Sequence, residues 1–478
     1  TTEAGDTSDG SLRAAIILAN GNAGCDAIDF DPGVSSIILD AETAITESVN
    51  ILGHGSDTLS ISLPGGSPIT STANYGNIYV SDVTIENSGT GINVAPVSYA
   101  GEQFTVADSV IRNNSVRGIY ALNTNVELNN VTISGHTQGR AAWLDITAIA
   151  GTTGTVTITG SSFINNTNSG ALSGGAAYIN LGAPLNTATI TSSQFAGNGS
   201  TTTADGGALA LNLTNFGSDT GNFRLENNTF SDNTAVNGGA VSTNHGGSGG
   251  TLVLISRQNT YSENRATGQG GALWVNDIAL GQLSEVAVES STIVDNSAGT
   301  SGGGIYGSNN ANVTVRNTVV AQNENDGDNQ NNIGGWLSSM DYSWVGDNGT
   351  LAFVIKAGAD TGNTFPGDES TLSFGSLRDN GGDTYTIAIG ASSPLRDSGD
   401  PSAVEGSASG QILAEDQRGG TRVLNTTLDI GAFEFNPGAD PDEPIVESDE
   451  DSRRRKSSGS TGLLTLLMMG LIGRRRRR

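Results

Sequence analysis

The sequence predicts an all-β protein, a right-handed parallel β-helix with three strands per coil, an N-terminal capping helix and a β-rich C-terminal cap. A motif of two glycines, an alternating strand and an asparagine returns every 32 residues, as from Gly207 to Gly239. Apolar residues recur two and four positions after the second glycine, so each strand buries one face. Units this short cannot fold alone, whereas stacked units share one continuous core. The second glycines of the five closest copies are Gly175, Gly207, Gly239, Gly271 and Gly303.

Residues 1–62 are predicted to form an N-terminal cap and the first coils. Ser11–Asn20 has the spacing of an amphipathic helix, which Asp9 or Ser11 can cap and Gly21 can end. We expect this helix to cover the open end of the coil, where unpaired strand edges otherwise promote aggregation. Cys25 is the one cysteine, and we expect it to be a small buried hydrophobe.

Residues 63–344 are predicted to form the repeats of the β-helix. Each unit contains a second motif, an apolar residue, two variable residues and then Asn, as in Phe195–Asn198. A further alternating segment such as Val156–Thr159 supplies the third strand of each coil.

An asparagine column follows the strand of the glycine motif. Asn tolerates left-handed backbone and can hydrogen-bond to copies of itself above and below. We therefore predict an internal, structural Asn ladder at this column. Its members are Asn123, Asp145, Asn180, Asn212, Asn244, Asn276 and Ser308.

An aromatic column lies three positions after the second glycine. Strand alternation places it on the outer face, where stacked rings could bind sugars. The small residues Ala210 and Ser242 leave a shallow gap between two aromatic pairs. The alternative is that turns cover the rings and that they serve packing alone. The candidate binding residues are Trp143, Tyr178, Trp274 and Tyr306.

The regular pattern breaks after Asn332. Residues 345–436 are predicted to form the C-terminal cap module, and residues 437–458 a disordered linker. Residues 459–478 are predicted to be a sorting signal. Within it, Gly462–Gly473 is apolar apart from Thr465 and is followed by five arginines. This run is shorter than the roughly 20 residues that span a bilayer, which favours processing over a permanent anchor.

The charge of the body is strongly negative. Nine of the 22 basic residues follow Ser452, so residues 1–452 carry 13 basic and 49 acidic residues, a net charge of −36. Such a surface repels nucleic acid, anionic membrane and acidic polysaccharide. The net charge therefore predicts weak binding of neutral sugars rather than acidic ones, and no nucleic-acid partner.

A candidate calcium site lies in Asn323–Asn332, where Asp326 and Asp328 flank Gly327. Carboxylate and amide oxygens are the ligands that Ca²⁺ prefers. The spacing is not that of an EF-hand loop, and a solvated loop is the alternative. The three histidines are far apart in sequence, and we expect them at the surface or in turns.

Several segments resemble known modules of bacterial surface proteins. The glycine and Phe-x-x-Asn motifs resemble the repeats of chlamydial polymorphic membrane proteins, which are autotransporter β-helices. Gly5–Phe30 resembles the CSLREA-type N-terminal segment, although Gly10 and Ala14 replace its Cys and Glu.

The C-terminal segments extend this resemblance. Leu377–Pro401, Asp416–Arg422 and Leu428–Phe435 look like the module named choice-of-anchor Q. Ser457–Arg478 is similar to the GlyGly-CTERM signal that rhombosortase processes, with Ser458 and Gly459 in place of the two glycines. The resemblance implies an exported protein on the surface of a Gram-negative bacterium. A sorting protease would act on the tail, which would be the sole contact with the membrane before processing.

Two function classes remain open from the sequence. The first is a non-catalytic surface protein, adhesin-like, structural or glycan-binding, with surface glycans or a host or neighbouring cell as partner. The second is a polysaccharide lyase or glycoside hydrolase, which needs a base or paired acids in one groove. The seven basic residues of the repeat region do not sit with a repeated acidic cluster, which favours the first class. They are Arg112, Arg117, Arg140, Arg224, Arg257, Arg265 and Arg316.

Overall fold

Long parallel sheets run along the molecule, and the computed structural model confirms the predicted parallel β-helix. Two sheets have 13 strands, a third has 11, and a fourth has seven very short strands. Each turn of the chain adds one strand to every sheet it crosses. The structure describes residues 9–441 and 444, apart from 73–74, 97–100, 148–152, 171, 183–185, 201–203, 215–219, 246–249, 278–282, 327–328, 350–352, 356–359, 402–413, 425–426 and 442–443.

From the third coil onward, two residues form the corner between a strand of sheet 1 and the next strand of sheet 2. The strands of sheet 1 are Asp26–Asp29, Val49–Leu52, Asn77–Ser81, Gln103–Ala107, Asn125–Asn129, Thr155–Thr159, Thr187–Thr191, Thr220–Glu226, Thr251–Arg257, Leu283–Glu289, Asn312–Arg316, Ser339–Asp341 and Asp360–Thr361. The strands of sheet 2 are Ser36–Ile38, Ser60–Ser62, Thr84–Glu86, Val110–Arg112, Thr132–Ser134, Ser162–Ile164, Gln194–Ala196, Thr229–Ser231, Thr260–Ser262, Thr292–Val294, Val319–Ala321, Trp344–Gly346 and Thr364–Gly367.

Sheet 3 contains the strands of the glycine motif. These are Ile69–Ser71, Thr90–Val94, Arg117–Leu122, Ala142–Ile146, Ala177–Leu181, Leu209–Leu213, Val241–His245, Leu273–Asn276, Ile305–Gly307, Ile333–Leu337 and Val354–Ile355. Sheet 4 is an addition to the three predicted strands per coil. Its strands are Thr167–Asn168, Gly199–Ser200, Thr234–Ala235, Arg265–Ala266, Ser297–Ala298, Glu324–Asn325 and Asn329–Gln330.

The predicted N-terminal helix is Leu12–Asn20, and it packs its buried face on the first strand of sheet 1. Ser11 caps it by accepting a hydrogen bond from the backbone N–H of Ala14 at 3.2 Å. Cys25 lies just beyond and is exposed, so the expectation of a buried cysteine was wrong. Among the described residues no helix has the length and apolar character of a membrane span.

The repeated second glycine is explained by close contact between coils. A side chain on Gly239 would place its Cβ 2.2 Å from the carbonyl oxygen of Gly271, and Gly207 has the same relation to Gly239. Contacts under 3.0 Å with backbone atoms are relieved only by a costly shift of the chain. Glycine at this position is therefore a steric requirement of the stack.

One apolar core runs along the inside of the coil. Phe163, Phe195, Phe230 and Tyr261 stack on successive coils, with ring centroids 4.8 to 5.0 Å apart. This distance is the strand spacing of a β-sheet, so in-register coils place the rings face to face.

The C-terminal module packs against the side of sheet 2. It contains the 3₁₀ helix Glu369–Thr371, and from Leu372 onward its described residues form isolated antiparallel bridges. A second apolar cluster joins it to the solenoid. This cluster comprises Val294, Val319, Ala321, Trp344, Leu372, Ile387, Ala388, Ile389, Leu395, Ile430, Phe433 and Phe435.

Candidate functional site

The predicted Asn column lies on the outer face of sheet 3, which corrects its assignment as an internal ladder. Asn212 stands between the inward residues Leu211 and Leu213 and donates to the hydroxyl of Tyr178 at 2.6 Å. Asn180 does donate to Asp145 at 2.9 Å. Asn244, Asn276 and Ser308 are the other members of the column and are partly exposed. Asn123 is also partly exposed but lies one position beyond the column, because Leu122 is the register partner of Asp145.

The internal ladder is formed by the other Asn motif, at the end of each sheet 2 strand. The backbone N–H and the side-chain amide of Asn198 both donate to Asn233 Oδ1, at 3.0 and 2.9 Å. The same amide donates to the carbonyl of Phe163 at 2.9 Å. Each rung thus satisfies buried backbone and side-chain groups together. The ladder runs through Asn114, His136, Asn166, Asn198, Asn233, Asn264, Asn296, Asn323 and Asn332.

The histidines were expected at the surface or in turns. His136 replaces Asn at one rung, two residues beyond the strand Thr132–Ser134, and is completely buried there rather than at the surface. Its Nδ1 lies 3.0 Å from Asn166 Oδ1, and its Nε2 lies 3.3 Å from Asn114 Nδ2. These contacts fit a neutral ring that donates through Nδ1 and accepts at Nε2. Burial lowers the pKa of His136 to about 4, and the hydrogen bond to Asn166 opposes this shift.

The first predicted aromatic pair is part of a larger cluster on the outer face of sheet 3. Trp143 and Tyr178 occupy paired positions, with ring centroids 5.8 Å apart in an edge-to-face arrangement. Tyr120 continues the column, with its centroid 5.3 Å from Trp143. All three rings are partly exposed.

The guanidinium groups of two arginines each lie close to two successive rings of this column. The guanidinium carbon of Arg117 lies 4.9 Å from the ring centroids of both Tyr120 and Trp143. That of Arg140 lies 4.3 Å from Trp143 and 3.8 Å from Tyr178. These are cation–π distances. We call these five residues the Arg–aromatic column.

The two arginines differ in burial. Arg140 is 5% exposed, and its Nε donates to the carbonyl of Ser173 at 2.7 Å. Burial lowers the pKa of Arg140 to about 10, while Tyr178 and Asp145 oppose the shift and the like charge of Arg117 adds to it. Burial raises the pKa of Asp145, an effect that its hydrogen bond from Asn180 opposes.

The second predicted aromatic pair is arranged differently. Trp274 and Tyr306 are register partners, and the indole N–H of Trp274 donates to Gln269 Oε1 at 3.3 Å. Ala210 and Ser242 are 1% and 2% exposed, so the predicted shallow gap between the pairs is covered. A Cβ on Gly206 would lie 2.7 Å from Ser242 Oγ, so the Gly-Gly turn itself lies over this position.

Within the predicted calcium segment, Glu324–Asn325 pairs antiparallel with Asn329–Gln330. Asp326 lies 3.4 Å from the guanidinium of Arg265, and both side chains are exposed. Asp328 lies outside the described residues. Within the described part of the chain, no three His, Cys, Asp or Glu side chains converge as a metal site. The calcium site stays a prediction from sequence.

A column of alternating charge ends the last strands of sheet 1. Arg257 is flanked in register by Glu226 and Glu289, with guanidinium-to-carboxylate distances of 3.6 and 2.7 Å. Arg316 and Asp341 continue the column on the following coils. The charges of these side chains neutralise one another along the stack, so a structural role explains this column.

The cap module binds a threonine column on the outer face of sheet 2. Thr260 Oγ1 donates to Gln417 Oε1 at 2.6 Å, and the amide of the same Gln417 donates to the carbonyl of Asn228 at 3.1 Å. Thr229 donates to the carbonyl of Tyr385, and Thr292 accepts from the N–H of Ala432 at 3.0 Å. The cap residues in these bonds belong to the segments that resemble choice-of-anchor Q.

A buried charge cluster holds the cap module together. Arg422 is fully buried and donates to backbone carbonyls, including that of Asp429 at 3.1 Å. Asp429 accepts from the N–H groups of Asp397 and Phe435 at 2.7 Å each. Burial and the neighbouring Asp429 raise the pKa of Glu434 to about 8, with Arg422 opposing the shift.

Comparison with known proteins does not identify a relative. No protein-family model matches the chain, and no curated protein matches its sequence. The geometry of the described residues is therefore the basis for assigning a function.

Proposed function

We propose that the protein is a non-catalytic, exported surface protein that binds glycans on the outer face of sheet 3. The observation that carries this proposal is the Arg–aromatic column, three partly exposed rings held in register on successive coils. Rings at strand spacing offer a series of apolar surfaces, which suits the repeating units of a saccharide chain. A parallel β-helix adds length without changing cross-section, so it also suits a structural stalk.

The main test is a glycan panel assayed for binding and for cleavage with the same full-length protein. Binding without release of shorter saccharides, weakened in Tyr120→Ala, is the expected result. Catalytic shortening of any glycan would overturn the non-catalytic assignment in favour of a lyase or hydrolase. Absence of binding across the panel would overturn the glycan assignment.

Export and surface location rest on the sequence pattern of the tail, since Gly462–Gly473 lies outside the described residues. The apolar run with its arginine end supports removal of the tail by a sorting protease. Intact-mass measurement on protein from native cells tests this. A mature species that still carries Arg474–Arg478 would contradict it.

A further inference from the structure

The arginines of the repeat region divide into two groups. Five form ion pairs with carboxylates, as Arg112 does with Glu86 at 2.8 Å. Arg117 and Arg140 form no ion pair with a carboxylate in the described part of the chain. The five pairs are Arg112 with Glu86, Arg224 with Glu226, Arg257 with Glu226 and Glu289, Arg265 with Asp326, and Arg316 with Asp400.

The two arginines without an ion pair are neighbours in the stack, and the carboxylate of Asp145 acts on Arg140 without forming one. Ile119 pairs with Ala142 in register, which places Arg117 directly beside Arg140 on the next coil. Two like charges at this spacing repel each other, and burial of Arg140 adds to the cost. An anion bound between the two charges would offset their repulsion, since an opposite charge nearby favours the charged form of each arginine.

Unused hydrogen-bond donors point to the same conclusion. Arg117 Nε and Arg140 Nη1 are buried and have no hydrogen-bond partner among the described residues. A buried donor without a partner is destabilising in proteins generally. Guanidinium groups recognise carboxylate and sulfate oxygens with directed, charge-assisted hydrogen bonds.

The surroundings of the column suit a sugar ring. Val116 and Leu172 are 42% and 40% exposed, and they adjoin Arg117 and the Arg140 partner Ser173. Partly exposed aromatic rings and exposed aliphatic side chains therefore border the two cations. Such a border contacts the apolar face of a sugar while a charged substituent reaches the arginines.

We propose that the Arg–aromatic column binds an anionic saccharide, through a carboxylate or sulfate group placed at Arg117 and Arg140. This proposal rests on the proposed glycan-binding function and specifies its ligand class. It differs from the neutral-sugar preference expected from the net charge of −36. Distant surface charges are screened within about 8 to 10 Å in physiological salt, whereas the two arginines act at contact distance.

The test compares three ligands on the full-length protein by titration calorimetry. They are digalacturonate, its methyl ester, and a sulfated galactose disaccharide. The ester keeps the sugar rings and replaces the charged carboxylate by a neutral group, so tight binding of the acid with weak binding of the ester supports the proposal. The sulfated sugar shows whether carboxylate or sulfate is preferred.

The variant Arg117→Gln should weaken binding of the acid about tenfold or more, the effect of losing one charge-assisted hydrogen bond. Arg117 is suited to this test because it is only partly buried, so the variant should fold. Arg112→Gln is the matched control, since it removes an arginine that is already paired with Glu86. An unchanged unfolding midpoint in Arg117→Gln confirms that lost binding is a local effect.

The outcomes separate this inference from the function on which it rests. Equal binding of acid and ester, or equal loss in Arg112→Gln and Arg117→Gln, overturns the anionic preference and leaves glycan binding in place. Binding of neutral sugars without binding of the acid also overturns the anionic preference and leaves glycan binding in place. No binding to these ligands or to the glycan panel overturns both proposals.

Discussion

His136 donates a hydrogen bond from Nδ1 to Asn166 Oδ1 at 3.0 Å, and so an imidazole occupies a rung of an asparagine ladder. The ladder needs this ring to be neutral, because Nε2 faces the amide donor of Asn114. Protonation would place two donors against each other in a fully buried position. One coil of the solenoid is therefore sensitive to acid.

The first prediction concerns this acid sensitivity. The pKa of His136 falls from 6.5 in its ordinary state to about 4 in the folded protein. The unfolded chain thus binds the proton more tightly, so stability is full above pH 6.5 and decreases as the pH falls toward 4. The total loss is about 3 kcal/mol. His136→Asn should restore a uniform ladder and flatten the pH dependence in urea unfolding between pH 7 and 4.

His54→Asn is the control for the histidine prediction. His54 lies near the N-terminal surface and contacts Thr58 and the carbonyl of Val34. An equal flattening in His54→Asn, or none in His136→Asn, would show that the buried rung is not the acid-sensitive group.

The second prediction distinguishes the two asparagine columns. Asn233→Ala removes the acceptor for two donors of Asn198 and the donor to the carbonyl of Phe195. Several buried groups then lack partners, and the free energy of unfolding should fall by about 3 kcal/mol. Asn244→Ala, on the partly exposed outer column, should change it by about 0.5 kcal/mol or less. Urea unfolding followed by circular dichroism measures both, and comparable losses would contradict the assignment of the internal ladder.

These two columns show what sequence periodicity can and cannot predict. Both recur once per coil, so recurrence alone does not separate an inward Asn from an outward one. Strand parity does separate them, because Asn212 is an odd number of positions from the inward Leu209 and Leu211. The alternation that placed the aromatic rings outside also places Asn212 outside, and the prediction of an internal position overlooked this.

The Arg–aromatic column also left a signal in the sequence. The observed register places Arg140 opposite Gly175, so an arginine stands where later coils have the second glycine. The coil before it is shorter, and aligning the repeats by their glycines matched Asn123 to Asp145. The observed register partner of Asp145 is Leu122, so that alignment was wrong by one residue.

The contacts of the cap module could not be predicted from the sequence, because Thr260 and Gln417 are 157 residues apart.

The third prediction concerns the glycine stack. Gly239→Ala places a Cβ 2.2 Å from the Gly271 carbonyl and 2.6 Å from backbone of Arg265, so the coils must separate locally. We expect a loss of about 3 kcal/mol or more, typical of severe overpacking. The control is Gly160→Asn. Gly160 has φ +57° and open space around its Cβ position, and Asn130 and Asn227 occupy the equivalent turn on other coils with similar φ.

Gly160→Asn should therefore leave stability almost unchanged, since Asn tolerates left-handed backbone. Thermal unfolding of the two variants gives the comparison. A folded Gly239→Ala protein with an unchanged midpoint would show that the glycine column is not required for close coil contact.

The last prediction concerns the cap module and its buried carboxyl group. Glu434 accepts a hydrogen bond from the N–H of Asp429 at 2.9 Å, and its pKa rises from the ordinary 4.5 to about 8. The folded cap thus binds the proton more tightly than the unfolded chain. Its contribution to stability is full below pH 4.5 and is lost as the pH rises through 8.

Glu434→Gln mimics the protonated side chain, so the cap should resist proteolysis better than wild type at pH 8.5 and equally well at pH 5. The exposed Glu415→Gln is the matched control and should behave as wild type at both values. Limited proteolysis with identification of cuts in residues 372–440 measures this. Asp416 accepts a hydrogen bond from the N–H of Glu434 at 3.0 Å, and its neighbour Gln417 accepts one from Thr260 of sheet 2. Ionisation of Glu434 should therefore also weaken the contact between the cap and sheet 2. A cap that is equally resistant at pH 5 and 8.5 in wild type would show that Glu434 does not control its docking.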